Sequence, residues 1–164
     1  MNILTLNNQL DNSIYCVKSN LENQEIVAGT QLKTIDIWNT EKKLKSLVLH
    51  GHLERINSIK LNENMIFSSS EDKFVKVWDK LTGNCEIKLS GHTKGVTQVE
   101  YDAVNYRVFT TSLDKTIKIW DIRKNKEIRT LVGHSSGVYC VTFDQAKVIS
   151  GSNDNTIRIW NFYN

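Results

Sequence analysis

Proline is absent from this 164-residue chain, and cysteine occurs only three times. An average chain of this length would hold about eight prolines, so its turns fall to Asn, Asp, Gly and Ser. Cys16, Cys85 and Cys140 are odd in number and form no close pair. That argues against a disulfide framework and against a paired-cysteine metal motif, and implies reduced, half-buried thiols in a cytoplasmic or nuclear protein. No apolar run is long enough to span a bilayer, and Met1 to Leu6 lacks the basic start and long apolar stretch of a signal peptide. A formal charge of +3 with scattered lysines argues against a polyanion partner, so nucleic acid is not expected and neither is a membrane.

What the chain does have is a repeat. Trp38, Trp78, Trp120 and Trp160 stand 40, 42 and 40 residues apart, closing the segments TIDIW, FVKVW, TIKIW and TIRIW. Gly51-His52, Gly91-His92 and Gly133-His134 precede the last three. A fixed period of this length marks one supersecondary unit copied along the chain. In the third copy, residues 95–101 alternate as a half-buried strand, 107–111 form a second, 116–120 a third and 127–132 an outer strand. Polar turns join them and no helical stretch intervenes. The expected unit is a four-stranded antiparallel meander, apolar on both faces, which is stable only when stacked on its neighbours.

Gly-His, then Ser or Thr, then Asp, then Trp resembles the pattern of the WD-repeat β-propeller family, and the likeness covers nearly the whole chain. The resemblance implies an all-β propeller array of four four-stranded blades: blade one over 10–49, blade two over 50–89, blade three over 90–132 and blade four over 133–164. It also implies a strand over residues 2–6 that completes the last blade, in cis or in trans. Each blade of the family holds a buried hydrogen-bonded tetrad. By position these are His52, Ser68, Asp72 and Trp78; His92, Thr110, Asp114 and Trp120; and His134, Ser150, Asp154 and Trp160. Blade one departs from the pattern: Leu10, Ala28 and Leu32 stand where His, Ser and Asp would be, so it is expected to be held by apolar packing.

Propellers of this family usually have about seven blades at about 51° each, so four would fill about 206°. Three arrangements meet that count: a strained four-blade ring, two copies forming an eight-blade ring, or a partial array completed by another chain or belonging to a longer one.

Three histidines at one repeated position imply scaffold, because metal ligands converge on a point. The aspartates, Ser68, Thr110 and Ser150 fall to the same reasoning. No catalytic residue, metal or cofactor is therefore expected. Lys76, Lys118 and Arg158, each two residues before a Trp, are expected to pack their stems across blades.

The resemblance places the protein-binding rim at Ser13, Tyr15 and Gln31 in blade one. It continues at Arg55, Asn57 and Glu71, then Gly95, Thr97 and Leu113, and finally Gly137, Tyr139 and Asn153. Tyr and Arg are favoured anchors at interfaces. The expected function is a non-enzymatic interaction scaffold presenting this rim to partner proteins in a larger complex. Residues 138–152 resemble F-box-type WD repeats, so a substrate-receptor fragment of a cullin-type ubiquitin ligase is the alternative, although only Arg55 stands where that group clusters arginines. A component of an RNA-processing particle is the third reading.

Overall fold

The computed structural model describes residues 5–6, 12–20 and 22–161. Residues 2–4 of the expected closing strand, Leu10 at the start of blade one, and residues 162–164 lie outside the described residues. Every regular element among the described residues is a strand. The first sheet contains β1 (Ile14–Asn20), β2 (Glu25–Thr30), β3 (Ile35–Asn39) and β4 (Leu44–Leu49). The second contains β5 (Ile56–Leu61), β6 (Met65–Ser70), β7 (Val75–Asp79) and β8 (Cys85–Leu89). The third holds β9 (Val96–Asp102), β10 (Arg107–Ser112), β11 (Thr116–Asp121) and β12 (Lys126–Val132), and the fourth β13 (Val138–Phe143), β14 (Lys147–Ser152) and β15 (Ile157–Asn161). Within each sheet neighbouring strands pair antiparallel in chain order.

The strands form because β-branched residues recur at alternate positions on half-buried ribbons. The turns between second and third strands share a left-handed residue: Lys33, Lys73, Lys115 and Asn155 have φ of 69°, 75°, 76° and 64°. Only the fourth copy places there a residue type that enters this region easily.

The sheets stack face to face in series, β1 against β5, β5 against β9 and β9 against β13. Three apolar cores fill the three gaps. In the middle gap Phe67 stacks on Tyr101 at 4.3 Å, and in the last Phe109 stacks on Phe143 at 4.5 Å. The four sheets make an open arc and do not close into a ring, which removes the four-blade ring from the three arrangements.

Three expectations change. Cys16 is half-buried, and burial pushes its thiol up to about 11, against smaller opposing effects of the Gly29 amide and Lys18. Cys85 and Cys140, however, are exposed: they sit on an outer strand and on an open end face, where nothing covers them. Lys76 and Lys118 place their ammonium groups within their own repeats. Lys76 Nζ lies 5.5 Å from the Trp78 ring and donates to the Gly51 carbonyl at 2.6 Å, while Lys118 Nζ donates to Glu127 at 2.8 Å and Thr130 at 2.9 Å. Each carbonyl or carboxylate lies in the lysine's own repeat, so the ammonium is satisfied without leaving it.

The first sheet, finally, is not held by apolar packing alone. Asp36 is buried two residues before Trp38, where the other copies carry Lys or Arg. It accepts from Lys45 Nζ at 2.6 Å and Thr34 Oγ1 at 2.9 Å. Lys45 opposes Trp38 in the ladder as Glu127 opposes Trp120. The first sheet thus carries the ion pair of the third with its charges exchanged.

Candidate protein-binding rim and the buried polar tetrads

The structure brings each expected tetrad together with nearly one geometry. Trp78 Nε1 donates to Ser68 Oγ at 2.8 Å, Ser68 Oγ lies 2.8 Å from His52 Nε2, and His52 Nδ1 lies 2.7 Å from Asp72 Oδ2. The third sheet repeats this through Trp120, Thr110, His92 and Asp114 at 2.9, 2.8 and 2.7 Å. The fourth repeats it through Trp160, Ser150, His134 and Asp154 at 2.9, 2.8 and 2.8 Å. A neutral imidazole with its proton on Nδ1 satisfies every member: indole donates to hydroxyl, hydroxyl to Nε2, and Nδ1–H to carboxylate.

Each carboxylate also fastens two loops. Asp114 Oδ2 accepts from the Thr93 amide at 3.0 Å, just after His92, and Oδ1 from the Thr116 amide at 3.0 Å, beyond the tight turn. Asp72 does the same with Leu53 and Phe74, and Asp154 with Ser135 and Thr156. Burial alone would raise Asp72 and Asp114. Hydrogen bonds from the histidines, the Thr116 hydroxyl beside Asp114, and these amides outweigh it and hold both below the usual carboxylate range. Asp154 is held low chiefly by the Thr156 hydroxyl, with His134 and the amides adding to it.

The glycine before each histidine has a packing reason. A Cβ at Gly91 or Gly133 would sit 3.0 Å from the indole edge of Trp120 or Trp160. The loop lies flat on the tryptophan only because that atom is missing.

Hydroxyl, imidazole and carboxylate in this order resemble a nucleophilic triad. Here the hydroxyls of Ser68 and Thr110 are fully buried and already bonded to an indole, so no substrate atom can approach. Among the described residues, no group of three or more His, Cys, Asp or Glu side chains is placed to hold a metal ion. No helix there is long and apolar enough to cross a membrane.

The rim is built by a second repeated device. The first strand of every sheet breaks register at one residue: between Ile14 and Cys16, Ile56 and Ser58, Val96 and Gln98, and Val138 and Cys140. The residues skipped by the ladder are Tyr15, Asn57, Thr97 and Tyr139. A bulge re-aims a side chain, and these four turn toward the same end of the arc. Six of the expected rim residues, Arg55, Asn57, Glu71, Thr97, Leu113 and Tyr139, line one open cavity of about 220 Å³. Arg55 stacks over the Tyr15 ring at 5.1 Å and lies 3.7 Å from Glu71. Asn57 Nδ2 donates to the Val96 carbonyl at 2.8 Å and Thr97 Oγ1 to the Val138 carbonyl at 2.6 Å, so rim residues also tie each sheet to the next. Ser13, Gln31 and Asn153 lie outside this cavity on exposed turns: the Gln31 amide donates to the Ser13 carbonyl at 2.9 Å, and the Asn153 amide to Gly137 at 3.0 Å.

Besides the bulges, two side-chain features did not follow from the sequence. The buried Asp36–Lys45 pair was visible as an acid where the other copies carry a base. Gln98, whose side-chain amide brackets the Val141 backbone with bonds of 3.2 Å to its carbonyl and 3.0 Å from its amide, left no such signal.

Stacked four-stranded meanders with a buried Trp–hydroxyl–His–Asp chain define a blade-repeat protein. A family model described as WD40, the WD domain or G-beta repeat, matches residues 42–79, 83–121 and 125–161, and the chain belongs to that family. Among its curated relatives, the DDB1- and CUL4-associated factor 11 homolog of Caenorhabditis elegans is 33% identical over 97 residues, 54% of this chain and 17% of that protein. The LEC14B protein of Lithospermum erythrorhizon is 32% identical over 94 residues, 53% of this chain and 20% of that protein. The probable E3 ubiquitin ligase complex SCF subunit sconB of Arthroderma benhamiae is 41% identical over 54 residues, 32% of this chain and 8% of that protein. The chain thus spans a fifth or less of the length of these relatives. WD-repeat proteins are in general non-enzymatic protein-interaction scaffolds.

Proposed function

We propose that this chain is a scaffold whose bulge-built rim captures a partner protein within a larger complex. The observation that carries this reading is the convergence of bulged residues from three sheets, Asn57, Thr97 and Tyr139, on one cavity with Arg55, Glu71 and Leu113. The cavity mixes an exposed aromatic ring, an aliphatic side chain and one neutralised ion pair. It suits a partner loop with an apolar anchor and a few polar groups better than a phosphorylated segment, for which clustered arginines are the usual receptor. Tyr139 and Arg55 are the anchors of choice, since Tyr and Arg dominate interface energetics. Replacing both by Ala should abolish recovery of the partners that the wild-type chain captures, with thermal unfolding nearly unchanged. An unchanged set of partners, or a large loss of stability, would refute the rim as the binding surface.

A second reading is supported by the relatives' names, two of which refer to CUL4 association and to an SCF ubiquitin ligase complex. In it the chain is part of a substrate receptor. Co-purification of a cullin adaptor with the wild-type chain would favour it. The third reading, within an RNA-processing particle, would show as salt-sensitive RNA binding.

A further inference from the structure

A second open cavity, of about 700 Å³, lies at the far end of the third sheet. Its walls are the turn 103–106 between β9 and β10 and the loop 122–125 between β11 and β12. Because β9 is seven residues long, this cavity stands roughly 20 Å from the rim. Four cations line it, Arg107, Arg123, Lys124 and Lys126, against two anions, Asp121 and Glu127. Both anions are already occupied. Asp121 accepts from the Arg123 and Lys124 amides at 2.9 and 3.3 Å and lies 3.8 Å from Arg123 Nε. Glu127 accepts from Lys118 at 2.8 Å and from the Thr130 hydroxyl. Lys124 and Lys126, by contrast, are exposed and form no ion pair among the described residues. At the same cavity Val104 and Ile128 are 84% and 51% exposed.

The fold of the loop does not require those lysines. The second sheet builds the same loop, with Asp79 accepting from the Thr82 amide at 2.7 Å. Yet it carries Thr82 and Asn84 where the third sheet carries Lys124 and Lys126. Neutral side chains serve the turn equally well, which leaves both ammonium groups available to a ligand. We infer that this cavity is a second docking surface, which takes a short acidic segment of a partner protein. Carboxylates of the segment pair with Lys124 and Lys126, and one aliphatic side chain lies against Val104 and Ile128. A nucleic acid fits less well. Its bases need an open aromatic face, and the Tyr106 ring beside the cavity has Arg123 stacked on it at 4.9 Å. Its phosphates need a basic track that continues. The matching ends of the first and second sheets instead set Glu22 and Glu63 around a cavity of about 470 Å³. This surface is separate from the rim and does not depend on what the rim binds.

Fluorescence anisotropy on the whole chain tests it. The probe is a labelled peptide with one central Leu among Glu and Asp, and the control replaces those acids by Gln and Asn. The acidic peptide should bind saturably and the control should not, and added salt should weaken the binding. Lys124→Thr with Lys126→Asn gives the third sheet the residues of the second. It should weaken binding about tenfold, with thermal unfolding as in the wild type. Val104→Ser should weaken it about threefold. Tyr139→Ala with Arg55→Ala should leave it unchanged, which separates this surface from the rim. An acidic peptide that does not bind, a control that binds equally, or a lysine variant of wild-type affinity would overturn the inference. So would loss of binding in the rim variant, or an oligouridylate that binds more tightly than the peptide.

Discussion

The first and third sheets solve one problem with different chemistry. Each must keep a tryptophan of its third strand buried, Trp38 in the first and Trp120 in the third. The third does so with a relay, Trp120 to Thr110 to His92 to Asp114, which also fastens the loop through the Thr93 amide. The first has no His, Ser or Asp at the matching described positions. It places Lys45 over the Trp38 ring at 4.9 Å and anchors that lysine on the buried Asp36. The relay locks a loop to a turn, whereas the pair locks two neighbouring strands. The difference teaches that the tryptophan is the constant need of the unit, and that the polar groups around it can be exchanged if every buried one finds a partner.

The comparison is broken most severely at Asp114. Asp114→Ala would leave the His92 imidazole and the Thr93 and Thr116 amides without their acceptor, and should cost about 3 kcal/mol in urea unfolding. Because Asp72 and Asp114 are held below the ordinary carboxylate range, their contribution is present above about pH 4 and is lost as pH falls further. The variant should therefore show a shallower acid loss of stability than the wild type. A middling effect is expected from charge reversal in the first sheet. Asp36→Lys sets two ammonium groups together beside Trp38 and should destabilise by about 2 kcal/mol. Adding Lys45→Glu recreates the third sheet's polarity and should restore most of that loss in the same assay; failure to recover would show that the two pairs are not equivalent. The smallest change concerns the shared turn. Asn155 already suits the left-handed region, so Lys73→Asn should raise the unfolding free energy by about 0.5 kcal/mol.

These contrasts show what a repeat discloses. The spans of β9 to β12 follow from alternation, because the two-residue period of a strand is written in every residue. The tetrad members could be found because copies at a fixed spacing expose which positions keep a hydrogen-bonding type. Asp36 and Lys45 escaped because their match is to each other across a ladder, and copy-by-copy comparison reads each as a departure. The bulges at Tyr15 and Tyr139 were hidden more deeply, since a skipped ladder position leaves no mark in composition. Gln98 was out of reach altogether: its partner, the Val141 backbone, lies in the next sheet and has no side-chain signature.

The serial order of the three cores has a mechanical consequence. Among the described residues the first and last cores share no member, so the chain resembles links rather than a block, with strength set gap by gap. Amide protons of β6, β7, β9 and β10, around the stacked Phe67 and Tyr101 rings, should exchange last, and those of β1 and β15 first. Drawn apart from its ends, such a molecule sheds its outer blades before the central pair lets go.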